Sequence, residues 1–102
     1  MVELTIENFN EVVKNSDKPV LVDFYVTWCG PCKRLAPNFE QFAQENDSVI
    51  SVKANVDDLR DILGDIEIQS VPTLVLYSNG EELKRKSGYM TVDELNAFAQ
   101  EA

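Results

Sequence analysis

The chain of 102 residues contains two cysteines, Cys29 and Cys32, separated by Gly30 and Pro31 and preceded by the only tryptophan, Trp28. Two thiols at this spacing can form a disulfide and release it again, which makes a two-electron dithiol/disulfide pair. A pattern typical of a buried strand precedes the pair and a helical pattern follows it. The sequence therefore predicts thiol–disulfide exchange at a strand-to-helix junction.

The positions of the two cysteines in the following helix predict different roles. Residues three apart share one face of a helix, so the two sulfurs can meet. Cys29 falls at the start of the helix, where unpaired N–H groups and the helix dipole favour a thiolate. Cys32 falls one turn further in and is expected to be more covered. We therefore expect Cys29 to attack a substrate disulfide and Cys32 to resolve the mixed disulfide.

Two other uses of the cysteine pair are weaker. A structural disulfide across so short a loop removes little chain entropy. A structural zinc site needs four ligands, usually Cys and His, and the chain has no histidine and no third cysteine. The sequence therefore predicts no metal site.

Composition and charge limit the classes of partner. The chain has 9 basic and 18 acidic residues, a net charge of −9, which argues against nucleic acid or an anionic membrane as the partner. Its length predicts a single domain over residues 1–102. The N-terminal residues lack a signal-peptide pattern, and no apolar run has the length of a membrane span. We expect a cytoplasmic protein.

The hydrophobic pattern predicts five strands and four helices in the order βαβαβαββα. The strand patterns cover residues 2–5, 20–26, 49–56, 73–77 and 82–87. Alternation in the first part favours parallel strands with helical crossovers, whereas Asn79-Gly80 predicts a final antiparallel hairpin. The predicted fold class is α/β, a central mixed five-stranded sheet with helices on both faces.

Capping patterns predict where two of the helices begin. In the first helix, Asn8 with Glu11 could form a capping box. In the last helix, Thr91 with Glu94 forms the same pattern. A hydrophobic staple and a buried stripe are predicted for the last helix from Met90, Leu95, Phe98, Ala99 and Ala102.

Asp23 is unusual because it is a carboxylate within the apolar strand pattern Val20 to Val26. Burying a carboxylate costs several kcal/mol unless it is paired, hydrogen-bonded or protonated, and burial raises its pKa. Asp23 could lie at a wet strand end or make a structural hydrogen bond. Alternatively it could act as a proton relay beneath Cys32, assisting deprotonation of that thiol.

The motif Trp28-Cys29-Gly30-Pro31-Cys32 matches the active-site motif of the thioredoxin family, and the element order resembles the thioredoxin fold. The resemblance extends over essentially the whole chain. Further matching residues are Val22-Asp23-Phe24, Pro37, Lys53, Val71-Pro72-Thr73, Asn79-Gly80 and Gly88.

The resemblance implies roles for residues that the pattern alone leaves undecided. It favours Asp23 as the proton relay and Lys53 as the charge partner that tunes it. It implies a cis bond before Pro72, which shapes the substrate cleft, and strand-like backbone hydrogen bonds from Val71 to an extended substrate. The implied substrate-binding surface around Cys29 consists of Trp28, Gly30, Pro31, Val71, Pro72 and Gly88.

The implied activity is that of a general protein-disulfide reductase in cell redox homeostasis. A thioredoxin reductase would re-reduce the Cys29–Cys32 disulfide, and clients such as reductases and peroxidases would receive the electrons. A monomer that needs no tightly bound cofactor is expected. Two rivals are a disulfide isomerase or oxidase domain, and a thioredoxin-fold processivity factor or structural subunit with incidental cysteines.

The chain departs from the family pattern near the motif. Tyr25 and Val26 stand where Trp and Ala are common. Ser87 stands where an apolar residue is frequent, and Tyr89 stands where a small residue is common. These differences could alter the shape of the groove and the choice of partner.

Overall fold

The computed structural model describes residues 1–64 and 66–100. Within these residues, one five-stranded sheet carries helical segments on both faces. The strands are β1 (Val2–Glu3), β2 (Val20–Tyr25), β3 (Ile50–Asn55), β4 (Thr73–Ser78) and β5 (Glu81–Ser87), and the α-helices are α1 (Gly30–Glu45) and α2 (Val92–Ala99). The α/β class and the predicted order of strands and helical segments are confirmed.

Two of the four predicted helices are not α-helices. The first is a five-residue π-helix, Asn10–Lys14, and the third is a 3₁₀ helix, Val56–Ile62. The first ends before the turn at Ser16, whose hydroxyl accepts from the Lys18 N–H. Aspartates at 57, 58 and 61 are poor residues for a helix interior, which keeps the third short.

The predicted capping box of Asn8 with Glu11 is wrong. Asn8 instead pairs with Thr5: the Thr5 N–H donates to Asn8 Oδ1 at 2.7 Å, and the Asn8 N–H donates to Thr5 Oγ1 at 3.1 Å. The reciprocal pair therefore lies three residues earlier in the chain. The predicted box in the last helix, Thr91 with Glu94, is confirmed; Ala102 lies outside the described residues.

The strands lie in the order β1-β3-β2-β4-β5. The pairs β1–β3 and β3–β2 are parallel, and the pairs β2–β4 and β4–β5 are antiparallel. Asn79 and Gly80 form the predicted hairpin turn with φ of 53° and 82°, the left-handed region that this turn requires. The mixed sheet therefore has β2, the strand that leads to the cysteines, at its centre.

Alternate residues of β2 contribute to two separate cores. Val20, Val22 and Phe24 pack with the π-helix and the 3₁₀ helix on one face, whereas Leu21 packs with α1 and α2 on the other. Side chains two apart on a strand share a face, so Asp23 falls on the α1 face with Leu21. None of the described helices is long and apolar enough to span a membrane.

Candidate active site

Cys29 and Cys32 form a disulfide at the start of α1, shortly after β2 ends. Their Cα atoms are 5.2 Å apart. Cys29 is the N-cap residue of α1, the helix begins at Gly30, and Pro31 occupies its first turn, where a missing N–H breaks no helical hydrogen bond. The predicted position of the pair at a helix N-terminus is confirmed.

The backbone around Cys29 provides both a donor and an acceptor. The Cys32 N–H donates to Cys29 Sγ at 3.1 Å, so a thiolate on Cys29 in the reduced state would already have a hydrogen-bond donor. Cys29 Sγ also lies 3.7 Å from the carbonyl oxygen of Val71. In this disulfide state the two cysteines are 8% and 5% exposed, so coverage barely distinguishes them. Their positions in α1 distinguish them, because Cys29 is the N-cap residue and Cys32 lies in the first turn.

The loop before β4 and the residue after β5 meet beside Cys29, at the end of the sheet where β2 ends. The Val71–Pro72 peptide bond is cis, as the resemblance implies. The Gly88 N–H donates to the Pro72 carbonyl at 2.9 Å, and Gly88 has a φ of 101°, which only glycine adopts readily. Val71, Pro72 and Gly88 therefore form one continuous wall beside Cys29.

The opposite wall is the motif itself. Trp28 is 74% exposed, and Gly30 and Pro31 are also exposed. A large aromatic side chain left this open next to a buried disulfide offers apolar contact area to a docking protein. The structure thus places all six residues of the predicted substrate-binding surface around the disulfide. Their role in binding stays a prediction.

Asp23 is buried beneath the disulfide. It is 2% exposed, and its Oδ1 has no hydrogen-bond partner among the described residues. Burial raises the pKa of Asp23 to about 7, although the positive charge of Lys53 opposes this rise. Asp23 and Cys32 line the same cleft of about 190 Å³, a volume that can hold water. This arrangement can move a proton between Cys32 and Asp23 at neutral pH.

Lys53 lies next to Asp23 but does not bind it directly. The two residues are paired in register between β2 and β3. No ion pair joins them among the described residues. The ammonium Nζ lies instead 5.0 Å from the centre of the Tyr25 ring. The expected charge partner therefore acts on Asp23 through space.

Sequence reasoning missed a second acidic residue near this site. The Tyr25 hydroxyl donates to Glu3 Oε2 at 2.9 Å. Burial and this bond raise the pKa of Tyr25 to about 12, so the hydroxyl stays protonated. Tyr25 had been singled out only as a departure from the family pattern. Glu3 carried no signal, because its approach to β2 depends on the pairing of β1 with β3.

Two further departures from the family pattern, Ser87 and Tyr89, make specific contacts. Ser87 Oγ lies 3.1 Å from Ser70 Oγ and 3.0 Å from Thr73 Oγ1, in a hydroxyl cluster that flanks Val71 and Pro72. The Tyr89 hydroxyl accepts from Asn38 Nδ2 of α1 at 2.9 Å. Ser87 thus links the end of β5 to the start of β4 and the loop before it, and Tyr89 links the segment after β5 to α1. No group of acidic, Cys or His side chains within the described part of the chain gathers as a metal site.

The chain matches the sequence model of the thioredoxin family over residues 1–101. It is 42% identical over 95 residues to a thioredoxin of Alicyclobacillus acidocaldarius subsp. acidocaldarius, covering 92% of this chain and 90% of that protein. It is 41% identical to a thioredoxin of Buchnera aphidicola subsp. Acyrthosiphon pisum, covering 99% and 94% of the two chains. A thioredoxin of Mycoplasma genitalium is 45% identical over 80 residues, 78% of each chain.

Thioredoxins are disulfide oxidoreductases, and the disulfide between Cys29 and Cys32 fits their redox-active cysteine pair. The match extends over nearly the whole sequence and includes the residues that surround this pair. The chain belongs to the thioredoxin family.

Proposed function

We propose that this protein is a general protein-disulfide reductase that acts in the cytoplasm. The observation that carries the proposal is the Cys29–Cys32 disulfide at the N-terminus of α1, with a buried carboxyl in the cleft behind it. In the reduced state, the Cys29 thiolate attacks one sulfur of a client disulfide. A mixed disulfide forms between Cys29 and the attacked sulfur, the client S–S bond breaks, and the other client sulfur leaves as a thiolate.

Cys32 completes the transfer. Asp23 accepts the Cys32 proton, directly or through water in the shared cleft, and the Cys32 thiolate attacks Cys29 Sγ. The Cys29–Cys32 bond forms, and the second client sulfur leaves as a thiolate. Two electrons have then passed from the protein to the client, whose two thiolates take up protons.

A separate reductase must return those two electrons before another turn. We assign the re-reduction of the Cys29–Cys32 disulfide to a thioredoxin reductase. The clients are proteins with accessible disulfides, such as reductases and peroxidases. The exposed Trp28 and the wall formed by Val71, Pro72 and Gly88 supply a shallow surface on which different clients can dock. A reducing compartment suits this direction of electron flow.

Reduction of insulin, coupled to a thioredoxin reductase, tests the proposal. Wild-type protein should accelerate the reduction, and Cys29→Ser should bring the rate down to that without added protein, since the attacking sulfur is gone. Ser48→Ala, a change in an exposed hydroxyl near the far end of α1, serves as the control and should retain full activity. A wild type that failed to accelerate the reduction would favour the rival in which the cysteines are incidental, and retained activity in Cys29→Ser would contradict the role of Cys29 as the attacking sulfur.

Trapping of mixed disulfides tests the division of labour between the cysteines. Cys32→Ser should accumulate mixed disulfides with clients through Cys29, because the resolving thiol is missing. These adducts should appear on non-reducing gels and disappear after reduction. If Cys32→Ser trapped no client while Cys29→Ser did, the two roles would have to be exchanged.

A further inference from the structure

Three charged residues form one row across neighbouring strands. Glu3 of β1 is in register with Lys53 of β3, and Lys53 is in register with Asp23 of β2. Adjacent strands lie about 4.8 Å apart, so Glu3 and Asp23 flank Lys53 from opposite sides at a backbone separation of about 10 Å. The Lys53 ammonium can therefore be attracted toward either carboxylate.

Among the described residues the Lys53 ammonium makes an ion pair with neither carboxylate and lies over the ring of Tyr25. Tyr25 follows Asp23 by two residues and so shares its face of β2. Its hydroxyl donates to Glu3 Oε2 at 2.9 Å, and its ring lies 5.0 Å from Lys53 Nζ. The Tyr25 side chain thus links Glu3, through its hydroxyl, to Lys53, through its ring. Both the ring face and the Glu3 charge attract the ammonium.

The Asp23 side of the row lacks such contacts. Asp23 Oδ1 has no hydrogen-bond partner among the described residues. From α1, Cys32 and Lys33 line the cleft that contains Asp23. From the 3₁₀ helix, the Asp58 charge acts on Tyr25. The β4 residue in register with Asp23 is Leu74, which carries no charge. Lys53 lines the same cleft from β3, but its Nζ lies over the Tyr25 ring and makes no ion pair with Asp23 among the described residues.

We propose that Glu3 is a positioning residue which, with Tyr25, holds the Lys53 ammonium away from Asp23 and so leaves the buried carboxyl without an ion-pair partner. The proposal rests on the proposed function, in which Asp23 takes the proton of Cys32. An Asp23 carboxylate in direct contact with Lys53 would hold a proton poorly at neutral pH, because a close cation favours the charged form. Glu3 also raises the pKa of Asp23 through its own negative charge.

The test is a titration of the Asp23 carboxyl carbon by NMR in reduced protein. Glu3→Gln removes the charge and keeps the shape of the side chain. It should lower the Asp23 pKa by about half a unit or more, since a carboxylate about 10 Å away is lost and Lys53 is released. Glu81→Gln, the same change at the opposite edge of the sheet, is the matched control and should leave the titration unchanged.

A double-mutant cycle separates positioning from a direct charge effect. Lys53→Met removes the cation through which Glu3 is proposed to act. In that background, Glu3→Gln should shift the Asp23 pKa by less than half as much as in the wild type. Equal shifts in both backgrounds, or no shift in Glu3→Gln, would overturn the positioning role.

The pH profile of mixed-disulfide resolution distinguishes this proposal from the proposed function. The inflection of the profile should move with the Asp23 pKa in Glu3→Gln, and remain in place in Glu81→Gln. If the pKa moves and the profile does not, Glu3 positions Lys53 as proposed but Asp23 is not the relay. If the pKa stays in place while Asp23→Asn still slows resolution, the relay stands and the positioning role is wrong.

Discussion

Asp23 and Glu82 lie on the same sheet, each near a basic residue, but only Glu82 makes direct hydrogen bonds to that residue among the described residues. Asp23 is buried in the central strand, and its cross-strand neighbour Lys53 makes no ion pair with it among the described residues. Glu82 lies on the edge strand β5, where Arg85 Nε and Nη2 each donate to one of its carboxylate oxygens at 2.7 Å. Within the described part of the chain, Asp23 Oδ1 has no hydrogen-bond donor, whereas the Glu82 carboxylate has two.

The pKa values of the two acids move in opposite directions. Burial raises the pKa of Asp23 to about 7 against the pull of Lys53. The hydrogen bonds from Arg85 lower the pKa of Glu82. Arg85 also donates to the carbonyls of Ile66 and Glu67, so this pair anchors the loop before β4. A nearby basic residue therefore does not by itself decide how the pKa of an acidic residue moves. Burial and the geometry of the hydrogen-bond donors decide it.

The largest expected difference lies in the pH dependence of stability. Because folding raises the pKa of Asp23 from 3.8 to about 7, its stabilising contribution is fully present below pH about 4 and is lost as the pH rises through 7. The loss is on the order of 4 kcal/mol, since one pKa unit corresponds to about 1.4 kcal/mol. Denaturant unfolding from pH 4 to pH 8.5 measures it.

Asp23→Asn is the matched variant for that measurement. It keeps the shape of the side chain and cannot ionise, so its free energy of unfolding should lack this fall and should exceed that of the wild type at pH 8.5. A variant with the same pH slope as the wild type would show that Asp23 is not the titrating group.

A smaller effect is expected at the edge pair. Arg85→Lys keeps the charge but loses the two-pronged contact with Glu82 and the bonds to the loop carbonyls. It should lower the free energy of unfolding by about 1 kcal/mol and leave the rate of mixed-disulfide resolution unchanged. Slower resolution in this variant would mean that the edge pair is coupled to the active site.

The smallest effect is the titration of Glu82 itself. Because its folded pKa is lowered, its contribution is present at neutral pH and is lost as the pH falls below the usual range for a glutamate. Glu82→Gln should therefore cost less than about 1 kcal/mol at pH 7, since the pair is partly exposed, and less at pH 3 than at pH 7. An equal cost at both pH values would point to packing instead of charge.

Patterns confined to one element predicted much of this molecule. The hairpin at Asn79-Gly80, the cap at Thr91 and the placement of Cys29 at the start of α1 each follow from a few consecutive residues. The apolar run around Asp23 also predicted a buried carboxylate with a raised pKa. In these cases the local chemistry and the tertiary structure require the same conformation.

Features that depend on strand pairing could not be predicted in the same way. The contact between Glu3 and Tyr25 exists because β1 pairs with β3. The register of that pairing cannot be predicted from the sequence of either strand alone. The position of Lys53 over the Tyr25 ring has the same origin. The capping pair of Thr5 with Asn8 was missed because Asn8 can cap in either direction.

The most direct test of the central claim is the rate of mixed-disulfide resolution against pH. The mixed disulfide is formed by rapid mixing with a client, and release of the second client thiol is followed for wild type and Asp23→Asn. The wild type should show an inflection near pH 7, and Asp23→Asn should lose it and resolve about 100-fold more slowly at neutral pH. Equal rates with the same inflection in both proteins would contradict the assignment of Asp23 as the acceptor of the Cys32 proton.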